Sequence, residues 1–374
     1  MSMYKYSFFF LIAYLICCVG CKELYFPPVE SLQNQLLVVE ANLAYIGPTT
    51  IRLTRTTKLN NNSIQPENSA TVSVEGKDNT IRFLSSAGNG NYSSSNLNLI
   101  LNNEYRLRIK TSSGKEYLSG YVKAMSNPPL DSISWERKND GVQIYVNTND
   151  PTNTIKYFRW DYFETWEIRS TLQSNIIFQN NRIRNRNFPA EDVSVCWKNS
   201  PSTRILLASS DQLQSGIISK MPVLFIPLSD EKLFIRYSII ARQYALDKDG
   251  HKYFEILKKN TEEIGSFFGP LPAEVKGNLY SVSDQNEPVI GYVTGSGVSE
   301  KRIFINFSQV APWPNLNFCE AYSIPPDSVK YYSENGGLLL ASYLGNPPDR
   351  YLFGTPYCVD CTSRGGANVK PSFW

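Results

Sequence analysis

The sequence predicts an all-β chain: a small immunoglobulin-like N-terminal β-sandwich, then a larger β-rich sandwich domain that carries one amphipathic helix. Three observations predict it. Aromatic residues make up 13% of the 374 residues, led by 23 Tyr and 19 Phe, and such side chains favour the half-buried surface of a pleated strand. The 22 Gly and 22 Pro fall between short apolar runs, where turns require them. Within those runs apolar residues mostly alternate, and a single segment has helical spacing.

The first segment concerns location. Lys5 precedes an apolar run from Phe8 to Val19, about twelve residues where a membrane span needs about twenty, so residues 1–20 read as a signal peptide. Gly20 directly before Cys21 resembles the lipobox cut by the bacterial lipoprotein signal peptidase. Cys17 and Cys18 fit less well, since Ile16 or Cys17 would then occupy the cleavage position. Cys21 is the expected lipidated N-terminus, and an ordinary secreted protein is the alternative. Two or three acyl chains at about 0.8 kcal/mol per buried methylene hold a protein on a membrane far more firmly than one. Residues 21–29 form a tether, and its Lys22-Glu23 start resembles the surface-export signal of Bacteroidota lipoproteins. The expected location is the outer membrane, on the cell surface or on the periplasmic face.

Residues 30–126 read as the small sandwich. Leu36 to Glu40, Thr50 to Thr54 and Ala70 to Val74 are short β-rich runs, separated by polar turns at Asn60 to Ser63 and Gly88 to Asn91. Tyr105 to Ile109 and Tyr117 to Val122 form a hairpin across Ser112-Ser113-Gly114-Lys115. Asn127-Pro128-Pro129 is a rigid break, so the larger domain spans 127–374. Its strands include Tyr157 to Trp166, Val223 to Ile226, Leu233 to Ala241 and Ile303 to Phe307. Phe254, Leu257 and Ile264 lie on one face of a helix that Gly265 can stop.

Little in the composition points to catalysis. With 37 basic against 34 acidic residues there is no charge excess for nucleic acid. The lone histidine, His251, must serve any triad or dyad without a second imidazole and cannot supply a two-imidazole zinc site, which disfavours most hydrolase chemistries. It reads as a surface or cap residue. No two of the 34 acids stand out as a glycosidase pair. No catalytic residue, metal or cofactor is expected. The rings of Tyr157, Phe158, Trp160, Tyr162, Phe163 and Trp166 read as core more readily than as a sugar platform. Arg182, Arg184 and Arg186 alternate around Ile183 and are candidates for a partner surface, with a charged strand edge as the plainer account. After signal cleavage and lipidation, Cys196, Cys319, Cys358 and Cys361 remain as disulfide candidates. Three pairings are open, and redox or metal use of the C-x-x-C spacing is the lesser alternative.

The closing segment Cys358-Val359-Asp360-Cys361-Thr362-Ser363-Arg364-Gly365-Gly366, running on to Phe373-Trp374, resembles that of a Bacteroidota outer-membrane lipoprotein family of unknown function, the four-two-four-nine family. The resemblance extends to Arg236-Tyr237-Ser238, Gln243-Tyr244, Tyr253 to Thr261, Gly277-Asn278 and Pro288 to Tyr292. It also covers Leu37 to Glu40 and Pro129 to Ile133, with Ala41 where a glycine commonly follows the acid. It implies a non-enzymatic accessory or binding subunit of a TonB-dependent outer-membrane barrel, and it supplies no catalytic residue. A stand-alone adhesion or glycan-binding lipoprotein is the second expectation, with a glycan or peptide as ligand. In the closing segment Gly365-Gly366 permits tight geometry, Pro371 fixes the exit, and Phe373 and Trp374 can plug an apolar slot and help present a partner surface. Replacing Cys21→Ser is expected to abolish incorporation of labelled palmitate and to release the chain from the membrane fraction.

Overall fold

Alternating side chains become short strands from Leu37 onward. The computed structural model describes residues 35–57, 63–213, 215–262, 275–314, 318–346 and 348–374. Cys21, the signal peptide, the tether, Ile264 and Gly265 lie outside the described residues. The N-terminal strands are β1 (Leu37–Asn42), β2 (Thr49–Arg55), β3 (Gln65–Pro66), β4 (Thr71–Gly76), β5 (Ile81–Gly88), β6 (Asn91–Ser94), β7 (Glu104–Lys110), β8 (Glu116–Ser119) and β9 (Val122–Lys123). Alternate residues of β1, β2, β4 and β7 are buried: Leu37 and Val39, Ile51 and Leu53, Val72 and Val74, Tyr105, Leu107 and Ile109 form one core, to which β5 adds Leu84. The hairpin of β7 and β8 closes through Thr111 N–H to the Lys115 carbonyl at 2.9 Å, with Gly114 at a φ of 85°.

The larger part begins with β10 (Leu130–Lys138), β11 (Gly141–Asp150), β12 (Tyr157–Arg169), the hairpin β13 (Ile176–Gln179) and β14 (Arg182–Asn185), β15 (Val195–Pro201), β16 (Leu206–Ser209), β17 (Gly216–Pro227) and β18 (Arg236–Leu246). Helix α1 (Lys248–Glu262) follows, then β19 (Leu279–Ser281), β20 (Ile290–Thr294), β21 (Val298–Asn306), β22 (Tyr322–Ile324), β23 (Leu339–Leu344) and β24 (Arg350–Gly354). A sheet ordered β10-β11-β17 faces a sheet ordered β15-β12-β18-β21. Between them Phe158, Trp160, Tyr162 and Trp166 are buried with Val142, Ile144 and Ile239, so one face of the aromatic run is core. A third small cluster, around Ile176, Ile324, Leu340 and Phe353, joins the β13–β14 hairpin to the sheet β22-β24-β23. The chain is all-β.

The sheets do not respect a division at residue 127. β20 pairs in parallel with β1, and β19 pairs with β8, so residues 279–294 complete the N-terminal sandwich after the chain has built most of the second one. β5 serves both faces of that first sandwich, pairing with β4 through Leu84 and with β6 from Ser85. The eleven strands thus make one sheet that wraps its core, ordered β19-β8-β7-β4-β5-β6-β2-β1-β20 along its main path. Asn278 bridges the two end strands. Its side-chain amide donates to the Val293 carbonyl at 2.9 Å and accepts from Val293 N–H at 2.8 Å, while its own carbonyl accepts from Gly120 N–H at 2.7 Å. A side chain here stands in for strand backbone. The approach demands glycine: a β-carbon at 277 would lie 1.8 Å from the Gly291 carbonyl oxygen, and Gly291 has a φ of 141° with its own backbone against Val39.

The two sandwiches meet around Gln243, which is fully buried. Its Oε1 accepts from Trp160 Nε1 at 2.9 Å, and its Nε2 donates to the Pro128 carbonyl at 2.9 Å and to Thr148 Oγ1 at 3.0 Å. Its backbone carbonyl accepts from Asn127 Nδ2 at 2.6 Å. The linker, β11, β12 and β18 are therefore pinned at one side chain. Helix α1 lies across the same junction, with His251 against Tyr157 of β12 at 4.9 Å and Tyr253 against Tyr292 of β20 at 5.1 Å.

Asn278→Ala removes both bonds across the seam and is expected to cost about 1–3 kcal/mol, read from the midpoint of urea unfolding.

Candidate functional site

The closing segment is built by geometry that its sequence dictates. Asp360 caps a tight turn over Cys361–Arg364, accepting from Thr362 N–H at 2.8 Å and Thr362 Oγ1 at 2.6 Å. Gly365 ends the turn at a φ of 81°, and Gly366 leaves no room for a side chain, since its β-carbon would meet the Cys196 β-carbon at 2.7 Å. Ala367 then exchanges backbone bonds with Trp197 at 2.8 and 3.0 Å, covering the exposed edge of β15 for one residue.

Each cysteine of the C-x-x-C spacing bonds elsewhere. Cys361 pairs with Cys196, 165 residues away, and Cys358 pairs with Cys319, 39 residues away. The spacing is a structural bracket: one disulfide fastens the tail to β15, the other fastens it to the small C-terminal sheet. On the chain-entropy scale these loops correspond to about 5 and about 4 kcal/mol of destabilised unfolded chain.

Phe373 and Trp374 fold back on the outer face of the β15-β12-β18-β21 sheet. The slot that receives them is cationic as well as aromatic, unlike the apolar slot expected. The Arg236 guanidinium stacks between Phe304 at 4.3 Å and Trp374 at 5.2 Å, and Arg302 lies 3.6 Å from the Phe373 ring centre. Trp374 meets Trp197 and Phe304 edge-on and donates weakly to Glu167 at 3.4 Å. Trp374 is thus committed to its own sheet, while Phe373, 39% exposed, keeps one face free.

The three alternating arginines sit on the β13–β14 hairpin. Arg184 clamps both oxygens of Glu191 at 2.7 Å, and this pairing holds the Glu191 carboxyl at about 2. Arg186 donates to Ser174 Oγ at 2.9 Å and is half-buried. These two work inside the protein; Arg182, exposed at the hairpin tip, faces solvent. His251 is buried rather than on the surface. Burial lowers its pKa from the usual 6.5, against the opposing pull of Glu255 at 3.8 Å. Asp247 caps the helix beside it, accepting from Gly250 N–H at 2.6 Å.

A feature that periodicity alone did not single out is the outer face of the N-terminal sandwich. Cross-strand register sets Phe83, Ser73, Arg108, Leu118 and Tyr280 in one row across β5, β4, β7, β8 and β19, a span of about 19 Å at strand spacing. Phe83 is 67% exposed, Ile81 beside it 57% and Tyr280 49%. Between them Glu75 bonds Arg106 and Arg108, Glu116 bonds Arg108, and Lys77 and Arg106 flank the Tyr121 ring at about 5 Å. Large apolar side chains thus border a fixed charge network on the outer face of this sheet.

Removing Phe373 and Trp374 uncovers Arg236, Phe304 and Trp197 together. It is expected to destabilise the chain by about 2–4 kcal/mol, measured by thermal and urea unfolding with both disulfides intact.

A search of curated proteins returns no match to the chain. A family model described as a domain of unknown function, DUF4249, matches residues 22–302. The match takes in the wrapped sheet, the Gln243 junction and the Asn278 seam, and it ends before the closing segment. With most of its length matched, the chain belongs to the DUF4249 family, a domain of unknown function.

Proposed function

We propose that this protein is a lipid-anchored, non-enzymatic subunit of the outer membrane that docks on a TonB-dependent transporter through the outer face of its N-terminal sandwich. The observation that carries this is the row from Phe83 to Tyr280. Exposed aromatic and aliphatic side chains on either side of an ordered Arg/Glu network combine the apolar and charged contacts that a protein interface uses.

Two features support the placement. Cys21 precedes β1 by sixteen residues, so a lipid there keeps the sandwich within about 55 Å of the membrane even with the tether fully extended. Two disulfides suit an oxidising compartment outside the cytoplasm. The non-enzymatic part rests on His251, whose ring is occupied against Tyr157.

A stand-alone adhesion or glycan-binding lipoprotein is the second reading. It is favoured by exposed tyrosines on the small C-terminal module, Tyr331 at 60%, Tyr357 at 45% and Tyr343 at 41%.

Tagged protein purified from gently solubilised outer membranes is expected to bring down a TonB-dependent barrel in stoichiometric amount, identified by mass spectrometry. Phe83→Asp with Tyr280→Asp is expected to cut that recovery at least about tenfold, with unfolding midpoints nearly unchanged because both side chains are exposed. Recovery of the lipoprotein alone, under conditions that preserve other membrane complexes, overturns the transporter assignment.

A further inference from the structure

A cavity of about 350 Å³ opens under the closing segment, between the end of β12, the turn at Glu231 and the residues after β21. Its volume falls at the lower end of the range for small-molecule sites, about 300–1,000 Å³. Its wall carries two carboxylates, Glu167 and Glu231, and two guanidiniums, Arg169 and Arg364, with Phe307 and Trp313 as aromatic surface. No use is made of this cavity by the docking face, which lies on the other sandwich.

The charges in the wall are already paired with one another. Arg169 Nε donates to Glu167 at 2.7 Å, and Glu231 accepts from Lys198 at 2.8 Å and from Arg364 at 3.4 Å. A charged ligand would have to break one of these pairs or leave its own charge uncompensated. A hydroxyl need not, because it both donates and accepts. The wall retains both capacities. Among the described residues Glu167 has two donors for its roughly four lone-pair positions, one of them Trp374 at 3.4 Å. Arg364, whose side chain is 3% exposed, makes two long bonds, to the Arg169 carbonyl at 3.2 Å and to Glu231, while Arg169, 60% exposed, donates only from Nε among the described residues and keeps its terminal N–H groups open to a hydroxyl. Phe307, 41% exposed, supplies a ring for the C–H face of a pyranose.

We infer that this cavity is a binding site for a neutral saccharide, held by hydroxyl bonds to the Glu167–Arg169 and Glu231–Arg364 pairs and by contact with Phe307. Sugar binding is a property of this chain alone, whether or not a transporter sits beside it.

The test is titration calorimetry on the full-length lipoprotein in detergent micelles. The probes are glucose, galactose, N-acetylglucosamine, mannose and their common disaccharides, with trialanine and acetate as charged controls. At least one neutral sugar is expected to bind with a Kd of about 1 mM or tighter, and the charged controls are expected not to bind. Phe307→Ala is expected to weaken that binding about fivefold to tenfold. Thr171→Trp, at an exposed position that lines the cavity, is expected to abolish it by filling the space. Since neither substitution touches the buried core, unfolding midpoints close to wild type will separate lost binding from lost folding. Three results overturn the assignment: binding by none of the sugars, sugar binding unchanged by both substitutions, or binding of trialanine or acetate in their place. None of these bears on recovery of a transporter, and loss of the transporter leaves the sugar titration unchanged.

Discussion

Gln243 is the constraint on which the arrangement of the two sandwiches rests. It is a polar side chain in a fully buried position, where an unmatched amide would cost about 1–3 kcal/mol. Its amide is matched on both sides, to Trp160, Pro128 and Thr148. Those partners come from β12, the linker and β11, so the bonds form together only when both sheets of the second sandwich and the incoming chain are in register. A leucine of similar size would bury as well and specify nothing. The Gln243 amide converts the Asn127-Pro128-Pro129 segment from a hinge into a fixed corner, and the chain crosses that corner again at Gly295–Gly297, beside Met125.

From that corner the remaining features follow as closures of exposed edges. Returning strands β19 and β20 join the two ends of the first sheet, and Asn278 spans the gap between them. At the other end of the molecule Ala367 covers β15, and Trp374 covers the outer face of the sheet beside it. In each case a late segment hides backbone or rings that earlier strands leave open.

The local structure was legible in the sequence, and the long-range structure was not. Period-two runs such as Leu37 to Glu40 and the inward face of Tyr157 to Trp166 became strands and core, because burial on one face writes itself directly into alternation. Helix α1 was likewise visible from Phe254 and Leu257, and it begins at Lys248. No periodicity links residue 37 to residue 290, so the return of β20 to the first sandwich left no local trace. Pairing of the cysteines was closed to the sequence for the same reason. Phe373 and Trp374 were recognisable as plugs, but their slot is lined by Arg236 and Arg302, four residues before Ile240 and one before Ile303, where arginines read as exposed charge. Glu191, which turns Arg184 inward, lies seven residues further on, beyond the reach of a strand pattern. Gln243 and Asn278 did carry a signal, as polar residues within the family-like motifs, but their role needed coordinates.

The bracket formed by Cys358 and Cys361 has a consequence for the order of events during folding. Cys196 finds its partner only near the end of the chain, and β1 waits until residue 290 for its outer neighbour. A chain emerging N-terminus first therefore cannot complete either sandwich as it appears; the first waits for the strand that starts at residue 290 and the second for Cys361. A chain cut short before residue 361 leaves Cys196 without its partner and the edge of β15 without Ala367. The closing segment thus fastens a strand laid down 165 residues earlier.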